Sequence, residues 1–559
     1  MQNSDVKYHG GGVGCHQSVK KASRQWGTIM AAIFAIGLPA NELRADTNGA
    51  DPSDPILNLF LQKGFITQSE ADKARAEVQA LRTNELSELP SQPSPSKWKL
   101  DKGIKDIQLF GDLRMRYEDR SSQDPGGGKI DLDRYRYALR FGFRGDAFDD
   151  VYYGFRLETA SNPRSPWVTF GTSSSSFPYQ GPFGKSTASL NIGQVYVGWR
   201  PESWLDITVG KMANPLYTTP MVWDTDLNPE GFAERFKYTI GPMDLFATFG
   251  QFLYADQNPA FASAGLGGVG SSYENGQNSD NIFMLAWQGG FSYHITKNIT
   301  AKVGATLYQY FGLQPSTANG GISPYFGDAY IGEGAYAGPG STYPYNGYSG
   351  YGSSSTLPGN SSLGYPLNQV GVNNLLVVEV PFELNFKINK LDAKIFGDFA
   401  YNFEGAQRAQ AAASGYATYL AALNPTPPTP PGPLTDTGNN DKAYQIGFAI
   451  GNQDSLGLVY GNVSRKHAWE VRTYWQHIEQ YALDPNLIDS DFFEGAENLQ
   501  GVYAAIAYGF TDNLTGTFRY GYASRINSHL GTGGSDQDIP QVNPIDKYQL
   551  FQADLTFKF

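Results

Sequence analysis

Patterning along the chain predicts an all-β protein: a transmembrane antiparallel β-barrel of about 16 strands, with a short α-helical periplasmic segment before it. Three observations carry this expectation. From about Ile107 onward, strand-like segments of roughly ten to fifteen residues recur, and in the clearest of them apolar and polar side chains alternate. Short and long connections take turns between the segments, as in barrels with short periplasmic turns and longer outer loops. Composition removes the alternatives: of 559 residues, 14% are aromatic and 17% charged, with 64 Gly, too aromatic for disorder and too rich in glycine for a helical chain. Mean hydropathy is −0.39. Nothing beyond the N-terminus approaches the roughly 18 to 20 apolar residues of a membrane-crossing helix.

Residues 1–45 read as a signal peptide, with Lys20, Lys21 and Arg24 as a basic region ahead of the apolar stretch 26–38. Cleavage is expected after Ala45, or after Ala40. The single cysteine, Cys15, precedes both points, so the mature chain is expected to have neither disulfides nor a thiolate metal site. Removing this segment, with its net +3, from a formal charge of −12 leaves about −15, which argues against nucleic-acid binding. Residues 46–88 follow as a short helical periplasmic segment: Ile56, Leu57, Leu59, Phe60 and Leu61 precede Gly64, then Thr67 and Glu70 form a capping box that opens a second helix to about Leu81. Two such helices are too short to make a substantial core of their own. Residues 89–103 are a Pro/Ser linker, and 104–559 are the barrel.

The alternation is cleanest in 134–144, where Tyr135, Tyr137, Leu139, Phe141 and Phe143 face one way and Arg134, Arg136, Arg140 and Arg144 the other. In lipid this means aromatics outward and a wet, charged lumen inward. The last segment repeats it, with Phe551, Ala553, Leu555, Phe557 and Phe559 against Gln552, Asp554, Thr556 and Lys558. Short joins are expected near 145–150, 200–203, 240–242, 294–298, 389–390 and 510–513, and an irregular one at 451–466. Between them lie long joins at 119–132, 161–189, 213–231, 255–280, 311–372, 404–441, 481–497 and 526–546. Gly126 to Gly128 mark a hairpin tip. Aromatics near strand ends, among them Tyr152, Tyr153, Trp199, Trp204, Tyr401, Phe403, Trp475, Tyr520 and Tyr522, suit the headgroup level.

With the polar faces inward, the first three strands supply a basic wall of Arg114, Arg116, Arg134, Arg136, Arg140, Arg144 and Arg156. The third long loop carries Trp223, Asp224, Asp226 and Glu230, with Glu234 just beyond. Folded into the lumen, it would narrow the channel and set carboxylates across from arginines, a transverse field that orients dipolar solutes. A plainer arrangement, compatible with the first, pairs the arginines with Asp112, Glu118, Asp131 and Glu158 to neutralise the interior.

The segments IQLFGDLRMRYE, DRYRYALRFGFRG, YYGFRLETASNP and above all GKMANPLYTTPMVWDTDLNPEGFA resemble the outer-membrane porin family of Gram-negative-type bacteria, general-diffusion in character and with a short helical N-terminal stretch. The resemblance spans most of the chain. Its most specific part is Gly210-Lys211 followed by Trp223-Asp224-x-Asp226-x-x-Pro229-Glu230-Gly231. It implies a trimeric outer-membrane channel and puts this loop near the constriction. The expected activity is passive diffusion of small hydrophilic solutes and ions, with outer-membrane lipids as surroundings and peptidoglycan contact offered by the N-terminal helices. Two alternatives stay open: a substrate-selective channel for anions such as phosphate or for sugars, and a sealed structural or adhesive barrel.

No catalysis and no cofactor are expected. His294, His467, His477 and His529 lack metal-ligand spacing, and a hydrolase would need a serine beside one of them. Asp489, Asp491 and Glu494 read as a solvated acidic loop, with Ca²⁺ binding the lesser alternative.

Overall fold

The period-two pattern becomes the wall of a closed barrel. The computed structural model falls into two units, Met1–Lys99 and Leu100–Phe559. It describes residues 103–123, 127–148, 150–160, 165–171, 189–255, 282–311, 375–409, 439–452, 465–528 and 545–559, with single positions 67, 69, 73, 456, 463, 530 and 532. In the first unit only Thr67, Ser69 and Lys73 are described, and Ser69 and Lys73 are helical. Residues 1–45 expected as the signal peptide, the capping-box partner Glu70, the expected Pro/Ser linker apart from Gly103, and His529 lie outside the described residues.

In the second unit the strands run β1 (Gln108–Gln123), β2 (Lys129–Asp146), β3 (Val151–Ala160), β4 (Val168–Thr169), β5 (Ser189–Glu202), β6 (Leu205–Lys211), β7 (Glu230–Ile240), β8 (Met243–Ala255) and β9 (Ile282–Thr296). They continue as β10 (Ile299–Phe311), β11 (Leu376–Glu379), β12 (Phe382–Ile388), β13 (Leu391–Asn402), β14 (Lys442–Gly451), β15 (Trp469–Ile478), β16 (Leu499–Gly509), β17 (Leu514–Arg525) and β18 (Lys547–Lys558). All pairings are antiparallel between neighbours, and β18 closes on β1 from Asp112↔Lys558 to Gln123↔Lys547. Two segments do not add to the count of spanning strands. β4 is a two-residue patch laid on β2, and β11 and β12 are one strand interrupted at Val380 and Pro381, where proline has no N–H for the ladder. Sixteen antiparallel strands therefore make the wall.

Parity holds along the strands except at bulges, as in β5, where Leu190 and Ile192 face outward before Gly193, and Val195 and Val197 after it. On β1, Leu113 and Met115 are exposed outward while Arg116, Glu118 and Arg120 are buried inward. Trp199, Trp204, Phe403, Tyr520 and Tyr522 are exposed on the outer surface, where rings suit the membrane interface. Tyr152 departs from that expectation. It shares the inward parity of β3, and its hydroxyl bonds Asp206 Oδ1 (2.5 Å) and Thr208 Oγ1 (2.7 Å).

The first hairpin also differs from the sequence reading. Pairing of β1 with β2 continues to Gln123↔Lys129, leaving only 124–128 as the loop rather than 119–132. Hydrophilic strand ends pair here because their outward side chains satisfy one another, as when Ser121 Oγ donates to Asp131 Oδ1 (2.8 Å). The tip is glycine, with Gly127 at φ +87°. The irregular join after β14 reaches inward: of its described residues, Leu456 and Val463 are buried, and Thr515 Oγ1 on β17 donates to the Val463 carbonyl (2.9 Å).

Candidate pore and constriction

The arginine wall divides into two levels. Nearer the long loops, Arg116, Arg120, Arg134 and Arg136 gather around Glu118, itself fully buried. Arg134 Nε donates to Glu118 at 2.5 Å and Arg120 Nη2 at 3.0 Å. Arg116 bridges Asp554 of β18 (Nε, 2.8 Å) and Asp491 (Nη1, 2.6 Å), and its guanidinium lies 4.0 Å from the ring centroid of Trp167. Nearer the short turns, Arg114 bonds Asp112 (2.6 Å), while Arg140 and Arg156 each bond Glu158 at 3.1 Å. Arg140 also binds Asp226, which ties the wall to the loop after β6. Here the side chains stay partly open to the lumen, 25% for Arg114 against 3% for Arg116. Arg144 lies at the turn end, bonding Gln108 (3.0 Å) over the ring of Phe110.

That loop, residues 212–229, folds into the barrel. Met212, Leu216, Met221, Val222 and Trp223 are buried against Phe252, Met284 and Tyr308 of the inward wall. Gln288 holds it by both ends of its amide, accepting from Tyr217 N–H and donating to the Tyr217 carbonyl (2.9 Å each). Thr218 and Thr219 bond Glu379 of β11 and Asp398 of β13 at 2.6 and 2.5 Å. Lys302 sits 3.7 Å from the centroid of the Tyr217 ring.

A second loop, residues 479–498, enters as well, although its acids suggest a solvated segment. Phe492 packs on Tyr503 and Tyr474 and covers Gly521, where a Cβ would meet its ring at 2.6 Å. Asp491 takes Arg116, Arg120 and Gln552. Burial would raise its carboxyl, but Arg116, Arg120 and Arg519 hold it below the usual carboxylate range. Among the described residues no cluster of three metal-ligating side chains occurs.

The two loops meet. The Asp489 N–H donates to the Pro220 carbonyl (3.1 Å), and Asp224 Oδ2 accepts from Ser490 N–H (3.1 Å) and Oγ (2.9 Å). Burial, then the charge of Asp226, pushes the Asp224 carboxyl up to about 7. Burial and the charges of Asp224 and Asp491 push Asp489 up likewise.

Trp223, Asp224 and Asp226 thus lie together inside the barrel, whereas Glu230 and Glu234 do not join them. Glu230 begins β7 on the outward parity, exposed and 2.6 Å from Lys211. Glu234, four residues on, has the same parity and accepts from Gln251 Nε2 (3.0 Å). Of the expected partners of the arginines, Asp112, Glu118 and Glu158 serve, while Asp131 faces outward. Sequence reasoning sets Asp554 on the polar face and Asp491 in a solvated loop without pairing either with the arginines, and misses Glu379, Asp398 and Trp167. The apolar density of 479–498, with Tyr481, Leu483, Ile488, Phe492 and Phe493, is the signal that marks it as an interior segment.

A closed sheet with apolar outward residues, charged inward ones and inward-folded loops defines a transmembrane β-barrel channel. The chain belongs to the family described as "Putative porin", whose profile matches residues 126–559. It is accordingly a non-enzymatic channel of the outer membrane. No curated protein matches the sequence. Among solved structures it is similar to in-vitro folded OmpT, an outer membrane protein of Vibrio cholerae, at 9% identity and a TM-score of 0.36, covering 83% of this chain and 99% of that one. OccK11 (OpdR) of Pseudomonas aeruginosa is similar at 10% identity and a TM-score of 0.34, covering 82% and 98%.

Proposed function

We propose that this porin passes small hydrophilic solutes and ions by passive diffusion, along an arginine-lined wall and past the constricting loop 212–229. The observation that carries the reading is the open level of the wall: Arg114, Arg156 and Asp226 keep 25%, 14% and 16% of their side chains exposed beside the loop. Charges of both signs facing a common water space make a polar aperture rather than a greasy one. Conductance of the purified, folded protein in a planar bilayer under a salt gradient tests this. Stable open steps with a measurable reversal potential are expected.

A sealed barrel is the second reading, supported by the second inward loop and by buried Leu456 and Val463 at the turn end. Folded, heat-modifiable protein that stays silent in the bilayer would favour it. Assembly as a homotrimer also belongs to this proposal. β6 has seven residues, fewer than the roughly 9 to 11 that cross a bilayer, and Lys211, Glu230, Glu234 and Gln251 put polar groups on the outward face there. A wall that is low and polar suits a second copy better than lipid, and cross-linking to a threefold mass is the expected outcome. The signal peptide 1–45 and peptidoglycan contact by 46–88 are expected to appear in N-terminal sequencing and in a sacculus pull-down lost on deleting 46–88.

A further inference from the structure

The loop 212–229 sets an aromatic ring against a wall cation, and one side chain of the wall fixes that ring in place. Lys302 lies on the inward parity of β10, shared with Thr306 and Tyr308, near the short turn that precedes the strand. Among the described residues it has no ion pair: Glu383, its register partner on β12, is taken by Lys394 at 2.6 Å. Its ammonium instead meets two rings, Tyr217 of the loop at 3.7 Å from the centroid and Phe246 of β8 at 5.2 Å. The rings stand edge to face, 5.9 Å apart at 82°, and form a corner around the charge.

The wall is shaped for this contact. Gly290 and Gly304 are register partners on β9 and β10; a Cβ on Gly290 would strike the Phe246 ring, and one on Gly304 would lie 3.0 Å from the Tyr217 ring. Their missing side chains leave a floor on which both rings rest. Gln288, on the same face as Gly290 and 2% exposed, does the fixing. Its Oε1 accepts from the Tyr217 N–H and its Nε2 donates to the Tyr217 carbonyl, 2.9 Å each, the exchange that a neighbouring antiparallel strand would make. Nε2 also donates to Thr306 Oγ1 (2.7 Å), which turns the amide the right way round. The Tyr217 hydroxyl, by contrast, is buried with no hydrogen-bond partner among the described residues. What this position uses is therefore the ring and not its polar tip.

We propose that Tyr217 caps Lys302 and withholds its positive charge from permeating anions, with Gln288 as the positioning residue that holds the cap in place. The effect on ions rests on the pore reading, whereas the cap itself does not.

Acylation of lysines in the folded, full-length barrel by a small water-soluble amine reagent, read by mass spectrometry, tests the cap without an open channel. Exposed Lys390 serves as the internal reference, and heat-modifiable migration shows that each variant has folded. Relative to Lys390, Lys302 should label equally slowly in wild type and in Tyr217→Phe, which keeps the ring and drops only the unpaired hydroxyl. In Tyr217→Leu and in Gln288→Leu it should label about two- to fivefold faster, the range set by the strength of an exposed cation–ring contact. Reversal potentials under a salt gradient then read what the cap does. Lys302→Gln should change the anion-to-cation permeability ratio little in the wild type and lower it about twofold in the Tyr217→Leu background. Equal labelling in wild type and both leucine variants, or Tyr217→Phe labelling as fast as Tyr217→Leu, would overturn the cap. So would a Lys302→Gln shift of the same size with and without Tyr217. A conducting barrel with equal labelling refutes the cap and leaves the pore standing; a silent barrel with Tyr217-dependent labelling keeps the cap and refutes the pore.

Discussion

Loops 212–229 and 479–498 occupy the same lumen and touch each other, and both have ring and arginine contacts with the wall, but their remaining polar fastenings differ. The second is held by guanidinium groups and rings: Arg116 and Arg120 on Asp491, and Phe492 packed on Tyr503 over Gly521. The first has Arg140 on Asp226 and Trp223 against Phe252, and adds hydroxyls on acids, with Thr218 and Thr219 on Glu379 and Asp398. The difference shows that an inward fold sets no particular electrostatics. Asp491, held low by its arginines, stabilises its loop above about pH 4 and loses that contribution on acidification, whereas Asp224 behaves in the opposite sense.

The comparison breaks most sharply at Arg116. Its replacement by Ala leaves Asp491 and Asp554 as buried carboxylates short of a partner, and a loss of about 3 to 5 kcal/mol is expected. The urea midpoint of the refolded barrel measures it, and a shift under about 1 kcal/mol would mean that water reaches this cluster. Thr219→Val should cost less, about 1 to 3 kcal/mol, by leaving the buried Asp398 without its hydroxyl donor. The cost should be confined to the first loop, with exchange rising in peptides of 212–229 and not in those of 479–498. Arg156→Ala acts on a partly open pair, so stability should change by no more than about 1 kcal/mol while the reversal potential under a salt gradient moves toward cation selectivity. Glu234→Gln on the outward face should leave the reversal potential unchanged and alter stability by about 0.5 kcal/mol or less, which separates outward from lumenal carboxylates.

Most of the wall was legible because side-chain direction in a strand follows from counting. Arg134, Arg136 and Arg140 could be set opposite Tyr135, Tyr137 and Phe141 with no tertiary information. The same count shows why Glu230 and Glu234 were misplaced: both share the parity of Phe232 and Phe236, so β7 turns them outward as soon as it begins. Loop paths were far less legible, because turn residues mark where a strand ends and not where the chain goes next. Loop 479–498 carries acids that read as solvated, yet its aromatics decide its course, and the acids then find wall arginines hundreds of residues away. The carboxyl pair Glu379 and Asp398 left no sequence signal at all, since it arises only where β11 and β13 flank the same loop.

The closing seam has a consequence for biogenesis. Asp112 on the first strand of the wall is paired with Lys558 on β18, so β1 has no lasting neighbour on one side until β18 is in place. Until then two strand edges would face hydrocarbon with bare N–H and C=O groups, a state the bilayer does not tolerate. Closure of the wall therefore waits on β18. A wall without β18 leaves β1 and β17 as open edges, so loss of Lys547–Lys558 removes the closed barrel instead of narrowing it.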